Sequence, residues 1–158
     1  MSYPTDPKSV RVRDRFVAVL CEIVEGEEFF HTPGVVYDNY VNWKAREAFP
    51  AYQVYFGAGG EWKEYAGLQA EETFSVLVHG EFKERDDSPV AVRRGIRDVR
   101  KAIMDDSASG GTADSLQVLC ARVTLGGTET DNGQGALVGS GWFTQEFLVT
   151  ISGAIQDL

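Results

Sequence analysis

The chain has 158 residues, of which 43% are apolar and 11% aromatic, and its 15 basic and 24 acidic side chains give a formal net charge of −9. That length suits one domain burying roughly 68–70% of its extended surface, and the apolar content excludes global disorder. The acidic balance opposes non-specific binding to DNA or to an anionic membrane, leaving only a local basic face able to do either.

No apolar run approaches the ~20 residues needed to cross a bilayer. The opening Met-Ser-Tyr-Pro-Thr-Asp-Pro lacks the basic and apolar regions of a signal peptide. Cys21 falls in an apolar helical pattern and Cys120 in an expected strand. Both read as small buried hydrophobes rather than redox residues, and a reducing, intracellular setting is the simplest expectation.

The first predicted helix covers residues 8–25. Val12, Phe16, Val19, Leu20 and Ile23 recur at spacings of three or four and share one buried face. Arg11, Arg13 and Arg15 are expected to stay solvated around the first turns, and Gly26 is a stop. Basic charge at this end opposes the helix dipole, so packing must hold the helix. Between Glu27 and Pro50, Val35 to Trp43 alternates like a strand, yet neither face is cleanly apolar. An edge strand or extended arm and an irregular loop across the core both fit.

Ala51 to Phe56 is a compact strand, followed by a turn at Gly57-Ala58-Gly59-Gly60 and an aromatic segment from Trp62 to Leu68. In the strand at 72–82, Phe74, Val76, Val78 and Phe82 repeat with period two. A charged turn from Glu81 leads to Ser88-Pro89, which opens a second helix over 89–105 with Val92, Ile96, Val99 and Ile103 as its apolar stripe. Residues 107–112 read as a flexible loop, Leu116 to Leu125 as a strand, Gly126 to Gly135 as a turn or projecting loop, and Trp142 to Ser152 as the last strand. These elements predict a single α+β domain: a mixed, mainly antiparallel sheet with two helices packed on one face, plus extended arms.

Nothing in the pattern selects a catalytic, cofactor or metal site. His31 and His79 are the only histidines and lack a ligand spacing. Glu22, Glu25, Glu27 and Glu28 read as a solvated helix end, and adjacency alone does not make Asp105 and Asp106 an acid–base pair. Glu129, Asp131 and Asn132 lack the calcium-loop pattern. Gly57 to Gly60 lacks the Lys-Ser/Thr that completes a phosphate loop, and Ser75, Ser88, Ser107 and Ser109 have no visible His–acid partners.

The stronger signal is Arg93, Arg94, Arg97, Arg100 and Lys101, whose helical angles place them opposite the apolar stripe. An ordinary solvated face, a dock for an acidic protein or neighbouring subunit, and a nucleic-acid contact all fit, in falling order. Trp43, Trp62, Tyr65 and Trp142 are core anchors or, where exposed, rigid interface area. The interface candidates are therefore Trp43, Trp62, Arg93, Arg97, Arg100 and Trp142.

The ordered pieces across residues 8–153 resemble the tailed-bacteriophage tail-terminator (tail-tube terminator) family. The resemblance rests on the opening amphipathic helix, Pro50-Ala51-Tyr52-Gln53-Val54-Tyr55-Phe56-Gly57, and Glu72-Thr73-Phe74-Ser75-Val76-Leu77-Val78-His79-Gly80. The Val92-to-Ile103 helix, Leu125-Gly126-Gly127-Thr128, and Phe143-Thr144-Gln145-Glu146-Phe147-Leu148-Val149-Thr150-Ile151 complete it. It implies an α/β subunit of a homohexameric ring that caps the tail tube, stops its polymerisation and receives the head-completion complex, with no enzymatic role and no cofactor. DNA would pass through the lumen without being read, and the protein would sit at the virion tail–neck junction after assembly in the host cytoplasm. Segments 27–50 and 126–141 would serve as assembly arms. A head–tail connector or tail-completion neck protein is the alternative, and a small-molecule-binding domain or enzyme ranks below it.

Overall fold

The computed structural model describes residues 4–39, 48–83, 88–131 and 140–158. Its elements run α1 (Lys8–Cys21), β1 (Val35–Tyr37), β2 (Ala51–Phe56), β3 (Glu61–Tyr65), β4 (Gln69–Lys83), α2 (Ser88–Ser109), α3 (Leu116–Leu119), β5 (Arg122–Thr130) and β6 (Ser140–Ala154), with a short 3-10 turn at Ile155–Asp157. The fold is α+β. One six-stranded sheet has the order β1-β2-β4-β6-β5, with β3 also paired to β4. Among the described residues only β1 and β2 pair in parallel, and the other pairs are antiparallel.

The spine is β4 against β6, paired without interruption from Gln69 opposite Ala154 to Lys83 opposite Ser140. Even-numbered side chains of β4 (Phe74, Val76, Val78, Phe82) and odd-numbered ones of β6 (Phe143, Phe147, Val149, Ile151) share one face and are buried. The helices pack there: Val12, Phe16, Val19 and Leu20 of α1 and Val92, Ile96, Val99 and Ile103 of α2 join the same core. Phe16 meets Phe147 edge-on at 5.3 Å. Both predicted stripes are therefore core stripes.

Several boundaries depart from expectation. The first helix ends at Cys21, before Gly26, with the Glu22 and Ile23 N–H groups already turning back to the carbonyls of Val19 and Leu20. A C-terminal run of acidic and β-branched residues opposes both the dipole and the helical backbone there. Cys21 is exposed, not buried. Cys120 is half-buried at the end of α3 rather than in a strand, and burial pushes its thiol up to about 12. That value argues against a reactive thiolate.

The second helix runs on through Ser109, so 107–109 is helix and not loop. Leu116 to Leu125 is not one strand. Leu116 and Leu119 lie three apart and are both buried, which is a helical turn's spacing, and the chain becomes extended only from Arg122. The expected loop after Gly126 is strand as far as Thr130, with a register shift between Leu125 and Thr128. A Cβ on Gly126 would come within 2.2 Å of Glu146 Oε1. The glycines thus make a bulge that lets the Glu146 carboxylate sit over the strand.

Of the proposed arms, 27–50 supplies the three-residue strand β1, while 40–47 and 132–139 lie outside the described residues.

Candidate interaction surfaces

Part of the α2 surface is covered by the protein's own chain. Residues 22–34 fold against it in a closed turn, with Glu25 N–H donating to Thr32 Oγ1 at 2.8 Å and Gly26 N–H to the Phe29 carbonyl at 3.0 Å. Asp98, fully buried between the apolar positions of α2, accepts the Phe30 N–H with both oxygens at 3.0 Å and the His31 N–H at 3.0 Å. His31 Nδ1 lies 3.5 Å from the same carboxylate, and its ring leans on Phe82. The Phe30 ring faces two guanidinium groups, Arg94 at 5.0 Å and Arg97 at 5.5 Å. Arg97 also donates to the Glu28 carbonyl. The result is a fixed ledge of cations around a 44%-exposed phenylalanine.

Asp98→Ala is expected to cost about 2 kcal/mol, because it removes a charged acceptor from two part-buried backbone donors. Amide hydrogen exchange at Phe30 and His31 should accelerate with it. Unchanged protection there would show that the loop has another anchor.

The five predicted outward cations do not act alike. Arg93, Arg94 and Arg97 are exposed. Arg100 instead turns toward the sheet, donating Nε–H to Gln145 Oε1 and Nη2–H to Thr128 Oγ1, each at 2.8 Å. Gln145 is fully buried on the helix-facing side of β6, and its amide donates to the Glu146 carbonyl at 2.7 Å. A buried amide demands such partners, and Arg100 is the nearest strong donor on the helix above it. Arg100 therefore pins α2 to the β5 bulge and is not an open contact residue. Lys101 pairs with Asp105 at 2.6 Å. Arg15, expected in solvent, forms a two-pronged bond to Asp106.

The tryptophans also separate. Trp62 is 47% exposed on β3, a strand whose five residues are all exposed. Tyr65 stands on the opposite face of β3, and at the β3–β4 turn Leu68 is 72% exposed with a positive φ of 58°. A bulky residue in the left-handed region is uncommon and costs energy. The hairpin carries four carboxylates and one lysine, with Glu61, Lys63 and Glu71 on one face and Glu64 and Glu72 on the other. Trp142 lies on the sheet face away from the helices, half-buried, stacked on His79 at 5.7 Å. Trp43 lies outside the described residues. Sequence periodicity missed Phe30, Asp98 and Leu68; the one readable signal was a lone acid, Asp98, inside a run of arginines.

Chemistry finds less support. His79 Nδ1 is 2.8 Å from Thr144 Oγ1 and Nε2 is 3.3 Å from Glu81 Oε1, a hydroxyl–imidazole–carboxylate line. Beside it β6 is paired on both sides, so its N–H groups serve the sheet rather than an oxyanion. Among the described residues, no three His, Cys, Asp or Glu side chains converge as a metal site. Gly57 and Gly59 line a shallow hollow of about 230 Å³ with Glu72, whose pKa burial raises. A carboxylate there is a poor companion for phosphate. No helix among the described residues is long and apolar enough to cross a membrane.

No family model matches the chain, and neither does any curated protein.

Proposed function

We propose that this chain is a structural ring subunit of the tail-terminator type, which caps the tail tube, halts its polymerisation and presents the attachment surface for the head-completion complex. It acts without catalysis or cofactor. Its partners are further copies of itself in a closed homohexamer, the terminal tube ring and a head-completion or connector protein, with DNA passing through unread. It works at the tail–neck junction of the virion, having assembled in the bacterial cytoplasm.

The observation that carries this reading is a set of large apolar side chains that stay exposed in separate places around the buried β4–β6 spine. Trp62, Tyr65 and Leu68 stand on the β3–β4 hairpin, and Phe30 stands on the α2 ledge. A capping subunit must touch a neighbour, the tube and the head side, so it needs several such patches. The dominance of interior packing and hydrogen-bonded pairs over convergent reactive groups favours assembly over catalysis.

The test is to add purified protein to isolated tail tubes with free tube subunits and to image the products by electron microscopy. Density at one tube end, together with arrested growth, is the expected result. Binding only to a head-side connector, with tube growth unaffected, would overturn the terminator role in favour of a neck role.

A further inference from the structure

We propose that the acidic, aromatic β3–β4 hairpin of one copy seats on the cation–phenylalanine ledge of α2 in the next copy. The inference rests on the ring-subunit reading and gives that reading a specific contact. Each half is on the surface. Alternation along β3 puts Trp62 and Glu64 on one face, where Trp62 Nε1–H donates to Glu64 Oε1 at 3.1 Å, and Glu61 and Tyr65 on the other. The hairpin edge thus presents both sets, with Leu68 at its turn, and every one of these side chains is exposed. The ledge offers Phe30 with Arg93, Arg94 and Arg97, also exposed. Guanidinium groups take carboxylates with two parallel hydrogen bonds and stack on aromatic faces, so the two patches match in charge and in the chemistry of the groups that they present.

A single copy cannot satisfy both halves itself. β3 pairs with the first residues of β4, Gln69 to Thr73. The ledge stands over the other end of that strand, where Gly95 of α2 sits directly on the Phe82 ring. About twelve residues of extended strand separate them, or ~40 Å at the usual rise per residue. Two different patches that match each other across that distance give a head-to-tail contact, which generates a ring when the rotation closes.

The ledge is also formed in advance. Asp98 holds the 22–34 turn in place through the Phe30 and His31 N–H groups, so little ordering cost remains at association. The exposed left-handed Leu68 places an apolar side chain at the hairpin tip, where a partner surface is its only route to burial.

Charge exchange tests the contact. One variant carries Arg93→Glu and Arg94→Glu, and a second carries Glu61→Arg and Glu64→Arg, in the full chain. Circular dichroism and thermal melts establish that both are folded. Sedimentation velocity, alone and on tube ends, then reads self-association. Each variant alone should associate at least tenfold more weakly than the wild type. An equimolar mixture should recover, because alternating copies restore opposite charge at every contact of an even-numbered ring. Trp62→Ala should weaken association about 30-fold, as for a central aromatic anchor.

Wild-type chain that stays monomeric both alone and on tubes would overturn the proposal. So would variants that associate normally, or a mixture that fails to recover. The two readings fail separately. Capped tubes with no effect of charge exchange would remove this contact and keep the terminator role; charge-dependent rings that never cap tubes would do the opposite.

Discussion

Asp106→Ala is expected to lower folding stability by about 3 kcal/mol, the low end of the range for removing one partner of a buried ion pair because Arg15 is only partly buried. The Asp106 carboxylate accepts Arg15 Nη2–H at 2.6 Å and Nε–H at 3.1 Å, and also the Leu116 N–H at 2.8 Å. It thereby ties α1, α2 and α3 together at one buried point. The variant would leave a guanidinium half-buried without its counter-charge and the first N–H of α3 without its acceptor. Urea denaturation at neutral pH measures the loss.

The effect should depend on pH, with a definite sign. Burial pushes the Asp106 carboxyl upward, but the Arg15 hydrogen bond and the Leu116 N–H outweigh it and hold the group below its ordinary value of 3.8. A lowered carboxylate contributes its full stability above the unfolded pKa and loses it as pH falls through the folded one. The gap between wild type and Asp106→Ala should therefore be constant above pH ~5 and narrow toward pH ~2. A gap that widens with acid would show that the charge is not what holds the helices.

Gly95→Ala is expected to destabilise by about 3 kcal/mol, the upper end of ordinary overpacking. The sign is the test, since the same change in an exposed helix stabilises by about 1 kcal/mol. A Cβ at residue 95 would lie 2.1 Å from Phe82 Cζ and 2.8 Å from its Cε2. Phe82 cannot swing aside, for its ring is buried between Tyr52 and Phe143 at 6.2 and 6.1 Å. Thermal melts of Gly95→Ala, Phe82→Leu and the double variant complete a cycle. The double variant should be more stable than the two single losses added together, because the shorter side chain makes room for the methyl. Simple additivity would mean that α2 does not pack this closely on β4.

Much of this architecture was legible wherever one periodicity ruled a segment. Phe74, Val76, Val78 and Phe82 alternate cleanly because one sheet face is buried and the other is not. Val92, Ile96, Val99 and Ile103 follow the helical period because α2 has a single covered side. Legibility failed where long-range polar contacts decided local structure. Leu116 and Leu119 look like strand residues until the Leu116 N–H finds the Asp106 carboxylate, from a helix earlier in the chain. Gly126 looks like part of a turn until Glu146 fills the space that its missing side chain leaves.

The candidate surface divides in the same way. That α2 bears an outward cationic arc was readable from angles alone, and Arg93, Arg94 and Arg97 occupy it. That Arg100 leaves the arc to bond Gln145 was not, because nothing local announces a buried amide on another strand. The ledge likewise needs Phe30 and Asp98, which are far apart in sequence and meet only once the turn has folded onto the helix.

The pairing of β4 with β6 also governs the order in which the molecule can be made. Residues 69–73, the strand that carries the aromatic hairpin, bind 150–154 on their other side. Phe16 of α1 likewise reaches its place against Phe147 only after β6 arrives. Contacts this distant along the chain close late and slow folding. During synthesis, β4 must wait with one edge and one apolar face unpaired, a condition that invites aggregation and rewards chaperone shelter. Until β6 is made, the chain lacks the support that holds the β3–β4 hairpin in position, so the hairpin takes up its place only after residues 150–154 have paired with 69–73.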